Sequence, residues 1–347
     1  MIIREREPLN LEMPFAELGG SLTPNGRFYV RAHFPIPQPD MKTWRLKIEG
    51  AVARPFELSY DELRQMETRT LTATLECAGN SRVFLVPQAE GAQWGLGAVG
   101  NAEWTGVPLA AVLDRAGLEA GAVEVILEGA DRGRIKEPPR PTGEIHYARS
   151  VPRAKALKDV LLAFKMNGAE LPAAHGFPVR AIVPGWYGVA SVKWLTRIIA
   201  SEQPFTGYFQ SIDYTVWERR GGRPVLVPIT ELLVKSEIAR PEMAEVVPAD
   251  ADYRVHGAAW TGDAEITKVE ISHDRGATWH AARLLGQPLT HAWRLWEFHW
   301  HTPAQPGPQT LLARATDSRG RQQPTDRDAD RGSYLITHCL PIEVEVR

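Results

Sequence analysis

The run Thr72-Ala73-Thr74-Leu75-Glu76-Cys77-Ala78-Gly79-Asn80-Ser81-Arg82 holds one of only two cysteines in a chain of 347 residues. Threonine and leucine before Cys77 favour a pleated strand, and Gly79-Asn80 favour a tight turn after it. The thiol is therefore expected at a strand end, where it can reach a concave site. Arg82, five residues on, adds positive charge that favours the thiolate, the form that binds metals. A cysteine so placed can equally serve as a small buried apolar residue.

Outward from this run the chain changes character. Residues 1 to about 40 are rich in proline and polar turns. Trp44 to Gly50 alternates as a strand. Ser59-Tyr60-Asp61-Glu62 has the pattern of a capping box that opens a helix. A second helix is expected over Leu109–Ala116, stopped by Gly117. Val123 to Leu127 has the look of a short buried strand, and Asp131 to Thr142, charged and proline-rich, that of a loop. Leu161 to Met166 followed by Asn167-Gly168 is a hairpin signal, and Val179 to Val183 a further strand. After about residue 225, short alternating segments recur with little helix: 245–247, 253–260, 266–272, 293–299, 309–315 and 342–346. Such spacing suggests an antiparallel β-sandwich. The expected division is 1–225 for an α+β domain and 226–347 for an all-β domain.

Composition sets further bounds. Hydrophobic residues make up 44% and charged residues 24%, with a net charge of −2, which implies neither a nucleic-acid nor an anionic-membrane partner. Most of the 40 basic residues are arginines, suited to bidentate recognition of oxyanions. No CxxC pair exists, which argues against a zinc ribbon, an iron–sulfur cluster or an attached c-type haem. No apolar stretch is long enough to span a bilayer, and Met1 to Pro8 lacks a signal core. The expectation is a cytoplasmic protein, or a periplasmic one if a leader was removed.

Leu75-Glu76-Cys77-Ala78-Gly79-Asn80-Ser81-Arg82 resembles the molybdenum-ligand motif of the sulfite oxidase family. Other stretches agree with that family in order and spacing. They are Phe28-Tyr29-Val30-Arg31-Ala32-His33; Gln93 to Val99 with Ala102 to Leu109; and Met166-Asn167-Gly168, His175 to Arg180, Pro184-Gly185 and Val192 to Leu195. The resemblance runs from about residue 28 to the C-terminus. It implies a molybdopterin-binding domain followed by an immunoglobulin-like sandwich that forms a homodimer.

It further implies a molybdenum centre held by the Cys77 sulfur and the two dithiolene sulfurs of molybdopterin, completed by two oxygens. Sulfite would gain an oxygen there and two electrons would leave. By the same resemblance Arg31, Arg82, Trp94 and Tyr214 belong to the substrate pocket. The pterin contacts are Tyr29, Val30, Arg31, Ala32, His33, Asp131, His175, Arg180, Ser191, Val192 and Lys193. Arg180 and Lys193 suit a phosphate. Taken singly, each of these residues has a plain structural reading: an ion pair for the arginines, core packing for Trp94, a buried phenol for Tyr214. Animal members carry an extra haem domain. Here no haem is expected within the chain, and electrons would pass to an external acceptor, a cytochrome or oxygen.

Departures from the family pattern thin the positive charge near the pocket. Ala32 and Gly95 stand where polar or basic residues are common. A third family arginine near the C-terminus is matched by Arg331 only with a shifted alignment, and otherwise by Tyr334. Rival readings are nitrate or S-oxide reduction on the same scaffold, a thiol enzyme using Cys77 with His33 or His175, and a non-catalytic interaction protein.

Overall fold

The computed structural model describes residues 1–347. No helix is long and apolar enough to cross a membrane. The first part is built on two five-stranded sheets. One places Arg69–Glu76 beside Val99–Pro108, then Leu161–Met166 and Ala169–Glu170, with Arg180–Ile182 also paired to Leu161–Met166. In the other, Leu195–Ser201 sits at the centre, parallel to Leu46–Gly50 and antiparallel to Glu124–Gly133, with Phe56–Leu58 and Ile145–Pro152 at the edges. A small N-terminal sheet joins Ile2–Glu5, Asn10–Glu12 and Val30–Arg31.

Local chemistry accounts for several boundaries. Ser59 and Glu62 form the expected reciprocal cap of the helix Tyr60–Gln65. Leu109–Ala116 ends where Gly117 adopts φ 72°, the left-handed conformation that glycine enters without strain. Asn167 and Gly168 take φ 51° and 75°, the pattern of a tight hairpin between paired strands.

Other expectations need correction. The strand expected at 123–127 runs over Glu124–Gly133, with alternate residues buried, so Asp131 lies in a strand and not in a loop. Asp131 continues the alternation that buries Val125, Leu127 and Gly129, so its side chain faces inward. The proline-poor start of that charged segment is held by pairing that its composition did not announce.

The second part is a β-sandwich. One sheet orders Lys235–Arg240, Asp252–Trp260, Arg294–His301 and Arg283–Leu284. The other orders Val246–Val247, Ile342–Val346, Gly307–Asp317, Ile266–Ser272 and His280–Ala281. Val255, Trp296 and Trp300 of one sheet meet Val269, Ile271, Leu311 and Val344 of the other in a shared core. The expected division after residue 225 falls inside a hairpin, Thr215–Arg220 with Arg223–Pro228. Val227, Ile229 and Leu232 pack into the core of the first part, so the pleated sandwich begins at Lys235.

Between the two parts lies a sealed ion cluster. Lys235 Nζ is 2.9 Å from Glu76 Oε1 and 2.8 Å from Glu237 Oε1, with all three side chains at most 2% exposed. Burial opposes the lysine's charge, but the two carboxylates hold its pKa above the ordinary value. Removing one member of such a cluster leaves buried charge without compensation. Lys235→Ala is therefore expected to cost about 3–5 kcal/mol of stability. Urea unfolding checks this, and an unchanged midpoint would contradict it.

Candidate active site

A single cavity gathers most of the expected residues. Its wall includes Tyr29, Arg31, His33, Cys77, Asp131, His175, Arg180, Ser191, Lys193 and Tyr214. Cys77 follows directly on the strand Arg69–Glu76, and its N–H donates to Ala98 O at 2.8 Å. The thiol is 7% exposed and unpaired. Burial pushes its pKa up, while Arg31, the Gly79 N–H and Arg82 oppose that rise. A metal would complete the deprotonation those groups favour.

Arg31 ends the short strand Val30–Arg31, and its guanidinium donates to Ala32 O at 2.7 Å. Asn10 fixes this corner, with its Oδ1 accepting the Ala32 N–H at 2.9 Å. Burial works against the Arg31 charge, but Tyr214 and Cys77 carry its pKa above the ordinary value. His33 Nε2 and the Tyr214 hydroxyl are 2.6 Å apart. Burial, reinforced by Arg31 and Lys193, drives the His33 pKa well down, so its imidazole is neutral. Burial raises the Tyr214 phenol against the pull of Arg31, so it keeps its proton. With His33 donating from Nε2, that proton is free to point into the cavity.

Another set of groups is basic. Arg180 donates to His175 O at 2.9 Å and to Ser191 O at 3.1 Å, and its guanidinium lies 5.0 Å over the Trp104 ring. Burial brings its pKa down to about 10, which leaves it charged. Lys193 Nζ donates to Arg31 O at 2.9 Å and Ala174 O at 3.1 Å. Burial and then Arg180 lower its pKa, against Asp131. His175 donates from Nε2 to Asn25 O at 3.1 Å, and burial lowers its pKa to about 3, leaving a neutral ring. Burial raises the Asp131 carboxyl, and its buried Oδ1 has no hydrogen-bond partner.

Not every expected residue reaches the cavity. Val30, Ala32 and Val192 are buried and do not line it. Arg82 and Trp94 also stand outside the wall, contrary to their expected place in the pocket. The Arg82 guanidinium is spent on Ser333 O at 3.0 Å and Ala92 O at 2.9 Å, and lies 5.1 Å over the Tyr334 ring. Trp94 is fully buried, against Tyr29 at 6.5 Å between ring centroids, with its Nε1 unpartnered. Of the two C-terminal alternatives, Tyr334 is the one packed at the site, 5.1 Å from the Tyr214 ring. Arg331 pairs with Asp328.

Residues that the sequence did not single out line the wall or brace it from behind. Tyr147 stacks on His33 at 4.7 Å and donates to Val189 O at 2.7 Å. Arg149, fully buried, donates to Phe209 O and, at 2.7 Å, to Ile229 O, so it braces the segment that carries Tyr214. At Gly188 a Cβ would stand 2.4 Å from the Tyr29 hydroxyl, so a larger residue would displace Tyr29. Tyr147 and Arg149 stand two residues apart on the strand Ile145–Pro152 and so share a face, which was the available signal.

The residues present suit an anionic, hydrogen-bonding cofactor. Buried Arg180, half-buried Lys193, a neutral histidine, an orphaned carboxyl oxygen and a thiol face one cavity. Buried polar groups without partners are costly unless a ligand completes them. Arg180 and Lys193 would take a phosphate, Asp131 and His175 the pterin edges, and Cys77 the metal.

Comparisons with known proteins agree. Residues 33–209 match the oxidoreductase molybdopterin binding domain, and residues 227–330 match the Mo-co oxidoreductase dimerisation domain. Sulfite oxidase of Gallus gallus is 37% identical over 93% of this chain and 72% of its own length. Mitochondrial sulfite oxidase of Rattus norvegicus is 35% identical, with 61% of its length covered. An NADH nitrate reductase of Solanum lycopersicum is 32% identical over 92% of this chain and 38% of its own length. Among solved structures, the sulfane dehydrogenase SoxCD from Paracoccus pantotrophus superposes with a TM-score of 0.82 at 29% identity, covering 95% of this chain and 82% of that one. Cysteine, buried cations and two matched domains lead to one conclusion: this chain is a molybdopterin-dependent oxidoreductase and belongs to the sulfite oxidase family.

Proposed function

We propose that the protein oxidises sulfite to sulfate and passes the electrons to an external acceptor. The observation that carries this reading is the meeting of Cys77, Arg31 and the Tyr214 hydroxyl in one cavity wall. Molybdenum held by the Cys77 sulfur and the pterin dithiolene supplies two-electron redox chemistry and oxygen transfer. The chain's own part is to bind and orient. Arg31 offers a fixed charge for a small oxyanion. The Tyr214 phenol, kept protonated by burial and steadied by His33, donates a hydrogen bond to an oxygen of the substrate or product. Burial strengthens both contacts.

Arg31→Ala is expected to remove a charged hydrogen bond worth about 1.5–3 kcal/mol, or roughly ten- to a hundredfold in kcat/KM for sulfite. The backbone carbonyl that holds Lys193 remains, and because Arg31 also favours the Cys77 thiolate, rates are compared per bound molybdenum. A fully loaded variant with wild-type kinetics would contradict the role.

A second reading is oxo transfer to another substrate, nitrate or an S-oxide. It is favoured by the nitrate reductase likeness and by the commitment of Arg82 to backbone carbonyls, which leaves fewer free cations for a doubly charged anion. Assembly as a two-fold dimer through the sandwich is also proposed, on the match of residues 227–330.

A further inference from the structure

The turn that carries Cys77 is gripped from the sandwich by polar side chains that never reach the cavity. Glu76 precedes Cys77, and Asn80 and Ser81 follow it in the turn. Opposite them, Lys235 and Glu237 are two residues apart on one strand and so share a face. Trp260 pairs with Lys235 on the neighbouring strand.

Contacts run across this boundary in both directions. Besides its two carboxylate partners, Lys235 Nζ reaches Ser81 Oγ at 3.0 Å. Trp260 Nε1 donates to Glu76 Oε2 at 2.8 Å, and Ser81 Oγ donates to Glu237 Oε1 at 2.6 Å. Asn80 Nδ2 donates to Glu76 Oε1 at 3.2 Å, while its Oδ1 accepts the Ala98 N–H at 3.0 Å. All six residues are at most 4% exposed.

Stability alone does not call for this arrangement. Burying three ionisable groups costs desolvation that an apolar cluster of similar volume would avoid. What the polar cluster adds is direction, because each hydrogen bond fixes an angle as well as a distance. The turn itself is demanding. Ser81 sits at φ 72°, a left-handed conformation disfavoured for residues with a Cβ. Such a conformation persists only where its surroundings over-determine it, and here the Ser81 hydroxyl is held by both Lys235 and Glu237.

We propose that Lys235 and Glu237 are positioning residues for Cys77. Acting through Glu76 and Ser81, they fix the turn and with it the direction in which the sulfur enters the cavity. The sandwich then has a part in the active site of its own chain, separate from any part in assembly. This inference rests on Cys77 being the metal ligand.

Two full-length variants test it. Trp260→Phe removes one donor to Glu76 with little change of shape. Lys235→Met combined with Glu237→Gln removes the cation and one carboxylate together, so that no pair of like charges is left in contact. Molybdenum and pterin content and KM for sulfite are expected to stay at wild-type values. Because the variants disturb a metal ligand's support, kcat should fall on the order of tenfold, with displaced g-values in the Mo(V) EPR spectrum. In cofactor-free protein, iodoacetamide should modify Cys77 faster than in wild type, read on its peptide by mass spectrometry. Variants that match wild type in kcat, EPR and alkylation rate would overturn the inference. Wild-type protein unable to hold molybdenum would instead overturn the ligand reading beneath it, and the alkylation arm, run without cofactor, separates the two failures.

Discussion

A Cys77→Ser protein is expected to fold, to keep its pterin and to lose sulfite turnover. The Cys77 sulfur is the one soft donor in the cavity wall; the other cysteine, Cys339, is buried elsewhere and its thiol is pushed up to about 12 by burial. A serine oxygen is a hard donor, and its hydroxyl holds its proton far more tightly than a thiol does. Already for the thiol, burial works against ionisation and only Arg31, Gly79 and Arg82 oppose it. The same groups cannot bring a buried hydroxyl to its anion near neutral pH. The fold should survive because the swap is nearly isosteric; a buried hydroxyl left without a partner costs about 1–3 kcal/mol. The residues that would hold the pterin, Asp131, His175, Arg180 and Lys193, lie outside the turn. Circular dichroism, pterin and metal analysis and a sulfite assay read the three outcomes separately. Undiminished sulfite oxidation by Cys77→Ser would remove the cysteine from the mechanism, and Cys339→Ser, expected to be fully active, is the control.

Loss of both Arg180 and Lys193 should have the next largest effect. Each offers charge-assisted hydrogen bonds worth about 1.5–3 kcal/mol to an anionic cofactor. Together they amount to roughly a hundred- to ten-thousandfold in affinity. Arg180→Ala with Lys193→Ala is therefore expected to purify without pterin, read by fluorescence of the oxidised, released pterin. The cofactor-free fold should not suffer in proportion. Both cations are held by backbone carbonyls in a site where burial depresses their pKa, so removing them relieves desolvation as well as breaking hydrogen bonds. Normal pterin content in the double variant would mean that these cations face some other group.

Where a residue type carries its own local geometry, the sequence was legible. The capping box at Ser59, the stop at Gly117 and the Asn167-Gly168 hairpin each depend on a few adjacent residues, and each is present. The local structure around Cys77 was equally plain, because a strand, a cysteine and a turn follow one another directly. What could not be read depends on partners distant in sequence. Lys235 lies 159 positions from Glu76, and nothing in either neighbourhood announces the pair. Arg82 has the composition of a pocket cation, yet its direction is set by Ser333, 251 positions away. Charge and proline around Asp131 read as a loop, whereas pairing with Ile145–Pro152 draws its strand on to Gly133. The N-terminal sheet is hidden in the sequence for a similar reason. Its strands are short, and Glu12 makes sense only once its carboxylate is seen to accept the Gly95 and Gly97 N–H groups, both at 2.9 Å.

The most direct test of the central claim is a sulfite-dependent turnover assay on purified protein of known molybdenum content, with ferricyanide and a c-type cytochrome as alternative acceptors and sulfate measured as product. The account predicts that molybdenum-loaded protein forms one sulfate for every two electrons delivered, and that the rate scales with metal content. Fully loaded protein that leaves sulfite untouched, while reducing nitrate or an S-oxide with an artificial donor, would contradict it.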